Sequence, residues 1–349
     1  MNRFPSTNRQ HAGFSLVELM ISMVLGLALM GGVVGVFLSN REIYRQNENL
    51  ARLQENARYA FEVMGRDVRE AGGIACGSNL PTANVLNNAS TNWWSNWRDG
   101  IHGYEGTDNT FPKAFGTAAA DRVSGTDAII VHSGTNNDGA TITEHNTTSA
   151  NFKVNTTAHG VKDGDILIVC DYKQAAIFQT TNASDSNVTI VHNTGSPVSP
   201  GNCSKGLGYP TVCTTNGTEY TFENGGVLNK LSANAWYIGH NGRGGRSLYR
   251  TQLTRSGSNA ATVATEIAEG VTDLQVEYLY KDCSNTLATN YVPASSIPAT
   301  YCPTGSTDWT KVTAARITFT LESLEKVSTG GQTLTRQWTT VATLRNRQS

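Results

Sequence analysis

Gly13–Leu38 reads GFSLVELMISMVLGLALMGGVVGVFL, and its reading decides the architecture. About twenty-five predominantly apolar residues carry a single charge, Glu18, and at 1.5 Å per residue they make roughly 37 Å of helix, enough to span a bilayer. A short polar leader precedes the run, with Arg3 and Arg9 and no acidic residue. An ordinary secretory signal has a shorter apolar core, with small residues after it at the cut site. Here the candidate processing glycine, Gly13, stands before the apolar run. Cleavage after it leaves the membrane helix on the mature chain. The leader arginines fit the cytoplasmic side, which places the C-terminal part across the inner membrane as a single-pass, periplasmic head.

Glu18 needs a reason, since an ionisable group at the bilayer centre costs about 2.5–3.5 kcal/mol on insertion scales. It lies only about 6 Å along the helix from Phe14, so its carboxylate reaches the headgroup region. Glycine before the cut, phenylalanine after it and glutamate fifth in the mature chain resemble the class III signal of type IV prepilins. The resemblance implies that a prepilin peptidase and methylase cuts between Gly13 and Phe14 and N-methylates Phe14. It also implies that Glu18 pairs with the free Phe14 amine during docking into a pilus. Gly31 and Gly35 form a small-xxx-small pair that permits close helix approach. Major pilins usually carry a proline where Gly35 stands, and this chain departs from them there.

From Ser39 to Arg69 the sequence turns polar, keeps a helical pattern and contains no proline. Ile43, Leu50, Leu53, Ala57, Phe61, Met64 and Val68 recur at spacings that share one face. Mixed-sign charges, among them Arg41, Glu48, Arg52 and Glu62, read as a solvated surface. Gly72-Gly73 ends the pattern. The expectation is one helix from Phe14 to about Ala71, greasy all round first and apolar on one side later. The domain reading is a leader at 1–13, a helix at 14–72 with 14–38 in the membrane, and a head at 73–349.

Beyond Gly73, Thr, Ser, Asn and Gly dominate, and the chain's 16% charged content is below the usual quarter or so. Short apolar runs between turn clusters read as strands: Ala128–Val131, Ile166–Cys170, Val188–Val191, Glu219–Phe222, Trp236–Ile238 and Ser247–Leu253. Thr272–Tyr280 and Ile317–Leu321 alternate with period two, and Leu334–Leu344 is a Thr-rich last strand. Long polar loops are expected near 77–125, 133–150, 193–217 and 283–311. The fold class is α+β and pilin-like: a long N-terminal helix packed on a large, mainly antiparallel β head. One large core or two smaller ones would both fit the length.

Trp236-Tyr237-Ile238 leads through a Gly/Arg loop to Ser247-Leu248-Tyr249-Arg250. Glu266–Val271 is followed by Leu274 and Tyr278, and the chain closes with Leu344-Arg345-Asn346-Arg347. With the N-terminal signal, these stretches look like the PilW minor pilins. The resemblance implies a subunit that joins other minor pilins and the major pilin in a priming or tip complex on the assembly platform. Twitching, adhesion and DNA uptake lie downstream, with direct DNA or surface contact open, and the protein passes from inner membrane to pilus tip or fibre. Two other readings stay in view. One is a type II secretion pseudopilin like the J component, for which the chain is long. The other is a helix-anchored adhesin or ligand-binding module.

Six cysteines, Cys76, Cys170, Cys203, Cys213, Cys283 and Cys302, all lie in the head. An even count in an exported domain permits three disulfides. Cys203–Cys213 and Cys283–Cys302 each bracket a loop containing glycine or proline, which leaves Cys76–Cys170. No CxxC, HxxxH or HExxH offers a zinc site, and no cofactor or metal is expected. Gly242–Arg246 lacks the ending of a phosphate loop and reads as a hairpin tip whose arginines could touch DNA phosphates. Trp93, Trp94 and Trp97 read as core under a long loop. Gly160–Asp165 has the composition of a calcium turn without the ligand spacing, and reads as a tight turn. No nucleophile has a plausible base, so an enzyme is not expected. With formal net charge −1 and no basic block, dedicated nucleic-acid binding is not expected either.

Overall fold

The computed structural model describes residues 13–77, 80–97, 100–134, 140–195, 197–297, 308–327 and 330–347. Its first element is a helix, Leu16–Glu70, of 55 residues. Ser15 sets the start: its Oγ accepts the Glu18 N–H at 3.2 Å, the geometry of an N-cap. The helix therefore begins two residues after Phe14. It stops at Glu70 because Gly72 adopts φ +67°, the left-handed conformation of a C-terminal glycine. The freed Gly72 N–H donates to His132 O at 2.8 Å.

The chain divides into two compact units. One comprises residues up to Arg52 together with Ser323–Leu334. In it the apolar helix run is uncovered: Leu27 and Leu29 are 74% and 71% exposed. The end of a β-hairpin, formed by strands Val312–Lys326 and Thr333–Thr343, lies against the helix. Arg45 Nη2 donates to Glu325 Oε2 at 3.0 Å and Asn49 Nδ2 reaches the same oxygen at 3.5 Å. Ser323 Oγ donates to Glu325 O and accepts the Leu334 N–H, which squares the hairpin. The Arg45–Glu325 pair is about half exposed on both sides, so it contributes little. Asn49 and Val327 are both buried in this unit.

The second unit holds the rest of the helix and most of the head. Leu53, Ala57, Ala60, Met64, Val68 and Ala71 are buried, a spacing of three and four that gives a continuous stripe. Within the expected face, Phe61 is half-buried and packs against Phe319 with the rings tilted and their centroids 4.7 Å apart. Ile43, in the first unit, is instead 51% exposed. Asn56 Nδ2 donates to Glu269 O at 3.0 Å, and Trp236 Nε1 donates to Asp67 Oδ2 at 2.9 Å.

Among the described residues, three sheets build the head. The four-stranded sheet runs Val292–Pro293, Val271–Tyr280, Val312–Lys326, Thr333–Thr343 in spatial order. The five-stranded sheet runs Asn259–Glu269, Arg246–Ser256, Ser232–His240, Ala128–Ser133, Ile101–Tyr104, and every pairing is antiparallel. The eight-stranded sheet lies wholly between Thr82 and Lys230, in the order Thr82–Asn84, Ala175–Gln179, Ile166–Cys170, Val227–Lys230, Ala140–Asn146, Asn151–Val154, Thr189–Val191, Asn182–Ala183. Its one parallel pairing is the first.

Strand Ile166–Cys170 is buried along its whole length because its two faces serve different cores. Leu167 and Val169 join Phe152, Phe178 and Phe222 on one side. Ile166, Ile168 and Cys170 join Leu86, Trp94 and Ile177 on the other. The head thus has several hydrophobic cores rather than one. Inside the first, the Phe222 N–H donates to His145 Nδ1 at 3.1 Å. The proton of neutral His145 is therefore on Nε2, aimed at His192 Nε2 3.3 Å away. Burial pushes both imidazoles down, His145 to about 4 and His192 to about 3.

Several expectations need correction. Glu219–Phe222 is not a strand; Phe222 fills the core from a loop. The span 77–125 contains strands Thr82–Asn84 and Ile101–Tyr104, and 133–150 contains Ala140–Asn146. The span 283–311 contains the short strand Val292–Pro293.

Burial raises the Asp67 carboxyl from 3.8 to about 6, against the pull of the Trp236 hydrogen bond and of Arg250. Between those values the folded chain keeps a proton that the unfolded chain releases. Its contribution to stability therefore falls as pH rises through that window. Asp67→Asn keeps an oxygen for Trp236 Nε1 and removes the charge. We expect its denaturant midpoint, relative to the parent, to rise between about pH 4 and about pH 7; parallel curves would contradict this account.

Candidate functional site

The N-terminal residues that carry the processing signal are all accessible. Phe14 is 83% exposed, and Gly13 and Glu18 lie on open surface. A Cβ added at Gly13 would meet nothing within 4 Å, and its φ is not left-handed. Folding therefore gives no reason for glycine at that position. The same open space surrounds Gly26, Gly31, Gly32 and Gly35. Glu18 occupies the third position of the helix, three residues after its cap Ser15, which is the spacing of a capping box. Its carboxylate lies at the positive end of the helix dipole. Ser22 Oγ donates to the carbonyls of Glu18 and Leu19, at 2.8 and 3.0 Å, so this small hydroxyl is satisfied within the apolar run.

In the head, Cys76 is bonded to Cys170 and Cys203 to Cys213. The first bridge fastens the segment after the helix to strand Ile166–Cys170 and closes 94 residues, which on loop entropy is worth about 4–5 kcal/mol. The second closes a short loop and is worth about 2–3 kcal/mol. Cys302 lies outside the described residues, and the expected Cys283–Cys302 bridge with it. No cluster of metal-ligating side chains occurs among the described residues.

The other sequence signals resolve into structure. Gly242–Arg246 connects strands Ser232–His240 and Arg246–Ser256 as a hairpin. Its arginines are engaged: Arg243 pairs with Glu266 and Glu269, and Arg246 Nη1 donates to Thr272 O at 3.1 Å. In the turn before Ile166, Asp163 accepts the Ala183 N–H, and Asp165 pairs with Lys230 and Arg255. Those carboxylates are used internally. Trp94 is buried, and Trp93 and Trp97 are half-buried around His132. Sequence reading missed one feature, a cleft lined by Trp97, Asn84, Asn96 and Arg347. These residues come from distant parts of the chain, and no spacing signals it.

Residues 8–34 match the prokaryotic N-terminal methylation motif, and residues 235–348 match the family described as Type IV Pilus-assembly protein W. The two matches together are similar to the pattern of PilW-family type IV minor pilins, the second over the last third or so of the chain. No curated protein matches the chain. The matches support a minor pilin role in pilus assembly, and they imply other pilins as partners and processing by a prepilin peptidase. PilW proteins form a structural and assembly family rather than an enzyme family. The apolar helix and the prepilin motif fit inner-membrane anchoring and pilus incorporation. The PilW match covers the whole four-stranded sheet and most of the strands that receive the helix, including Trp236, Glu269 and Phe319. The eight-stranded sheet lies outside both matches.

Non-reducing peptide mapping of the exported protein should recover Cys76 linked to Cys170 and Cys203 linked to Cys213. Recovery of free thiols at these four positions would contradict the bonding.

Proposed function

We propose that this minor pilin is cut between Gly13 and Phe14, N-methylated at Phe14, and held in the inner membrane by residues 14–38 with its head in the periplasm. From there it joins other minor pilins and the major pilin as part of a priming or tip complex on the assembly platform. The observation that carries the reading is the uncovered apolar run. Residues Leu16–Leu38 are exposed along their length, and side chains such as Leu27 and Met30 need a solvent other than water. A bilayer supplies it before assembly, and sister helices supply it afterwards.

Glu18 takes the recognition role in this reading. In a low-dielectric bundle an unpaired carboxylate is expensive, so a neighbour that offers its amine is favoured over one that does not. The four open glycines let backbones approach closely, where packing rather than the hydrophobic effect drives helix association. Twitching, adhesion and DNA uptake follow from the pilus rather than from chemistry in this subunit. The J-type pseudopilin reading is less favoured, because the late strand block matches PilW.

Two measurements test this. Mass spectrometry of the mature protein should give a chain that begins at methylated Phe14; a chain that still carries Met1 or is cut elsewhere refutes the processing step. Glu18→Ala should lower incorporation into pili several-fold while leaving the head's denaturation midpoint unchanged, because Glu18 is exposed. Unaltered pilus number and composition would refute the role of Glu18.

A further inference from the structure

The pilin reading makes no use of the cleft around Trp97. It measures about 590 Å³, within the range of small-molecule sites, and its described lining lies wholly in the second unit. Gly72 and Gly100 meet along one side of it. A Cβ at Gly100 would lie 2.4 Å from the Gly72 Cα, so only glycine lets the two segments come this close. His132 ties both of them, accepting the Gly72 N–H on its carbonyl and donating its own N–H to Gly100 O, each at 2.8 Å. The loop that carries Trp97 is held as firmly. Asn84 Nδ2 donates to Ser95 O at 2.7 Å, and Ser95 Oγ donates to Ala89 O at 2.8 Å. The Cys76–Cys170 bridge fixes the segment just beyond Ile74. The lining is thus set before any ligand arrives, which lowers the ordering cost of binding.

The polar groups on this lining are spare. Among the described residues, Asn96, Asn346, Ser90 and Thr310 make no side-chain hydrogen bond. Each amide offers donors and an acceptor, and each hydroxyl can act as either. No carboxylate stands among the described lining residues. The lining cation, Arg347, is committed to the protein, since its Nη1 donates to the carbonyls of Trp309 and Val312. Trp97 lines the cleft with a half-buried indole, whereas Trp94, Trp236 and Trp309 are buried. An aromatic face beside neutral amides and hydroxyls is the complement of a sugar. The C–H face of a pyranose packs on the indole while its hydroxyls exchange hydrogen bonds at the edge.

We propose that this cleft binds an uncharged disaccharide unit of a glycan, with the Trp97 ring as its platform and the Asn96 and Asn346 amides reading its hydroxyls. The site belongs to the head alone and stands whether or not residues 14–38 are the membrane span.

The test uses the full chain in lipid nanodiscs free of glycoside detergents, titrated with cellobiose, N,N′-diacetylchitobiose and digalacturonate. Binding is read by saturation-transfer NMR on the sugar protons. The expected result is saturable transfer to at least one of the two neutral disaccharides, and which one binds separates a plain glucan source from an N-acetylated one. Trp97→Ala should weaken that binding roughly tenfold or more, and Asn96→Ala and Asn346→Ala about two- to tenfold each. The asparagine variants should keep the parent's denaturation midpoint, because their amides make no hydrogen bond in the fold. If Trp97→Ala does not fold, those two variants carry the test. Saturation of neither neutral disaccharide overturns the proposal. Binding of digalacturonate alone also overturns it, since recognition would then be by charge. Neutral binding that survives every substitution does the same, because the sugar would then sit elsewhere on the chain.

Discussion

The helix stripe from Leu53 to Ala71 is the constraint on which the rest of the head depends. It includes small or unbranched residues, alanines at 57, 60 and 71 and Met64 between them, all buried. Alanine permits close approach, and methionine adapts to an irregular surface. Two polar ties fix register on this seam: the Asn56 amide on Glu269 O, and the Asp67 carboxylate under the Trp236 indole. The second is costly, since burial raises the Asp67 pKa. A buried charge that is hydrogen-bonded in one geometry penalises every other geometry, so it acts on specificity more than on stability. The seam lies on the same strands that match PilW, while the eight-stranded sheet builds one core of its own around Phe152 and Phe178 and shares another with the five-stranded sheet through Ala233.

The sequence made the helix legible because two periodicities are written on it, all-round apolar and then a stripe. It missed the start by two residues, because the cap at Ser15 is a local hydrogen bond inside an otherwise continuous pattern. Strands with clean alternation, such as Val271–Tyr280, were equally visible. Ala175–Gln179 was not, since AAIFQ is buried throughout and offers no period. Asn259–Glu269 is rich in Ala and Thr and alternates weakly, yet it pairs along its length with Arg246–Ser256. Strands of three residues, such as Thr82–Asn84, are too short to carry a period at all. Glu219–Phe222 shows the reverse error. Tyr220 and Phe222 alternate, but their job is to fill a core from a loop, and the backbone spends its donor on His145 instead of a ladder.

Gly13, Phe14 and Glu18 are assigned from spacing alone, and the structure adds only that they are exposed, with open space around Gly13. What no spacing could reveal is the hairpin beside Leu38, because it depends on a contact between Arg45 and Glu325, 280 residues apart. Such long-range pairs leave no trace in a single sequence.

Glu18 poses a last physical question: how a carboxylate tolerates residence near lipid before it finds a partner. Its position three residues after the Ser15 cap supplies part of the answer. The unpaired N–H groups of the first helical turn carry a partial positive charge, worth about 0.3–1 kcal/mol to a nearby anion and more where water is scarce. That stabilisation is local, needs no second subunit, and is smaller than the cost of carrying the charge to the bilayer centre, about 2.5–3.5 kcal/mol. The helix end therefore favours a position near the membrane surface, where Glu18 stays hydrated. In the proposed assembly, a sister subunit that offers a full cationic amine outcompetes that partial charge, so a carboxylate held at the helix end still gains by pairing.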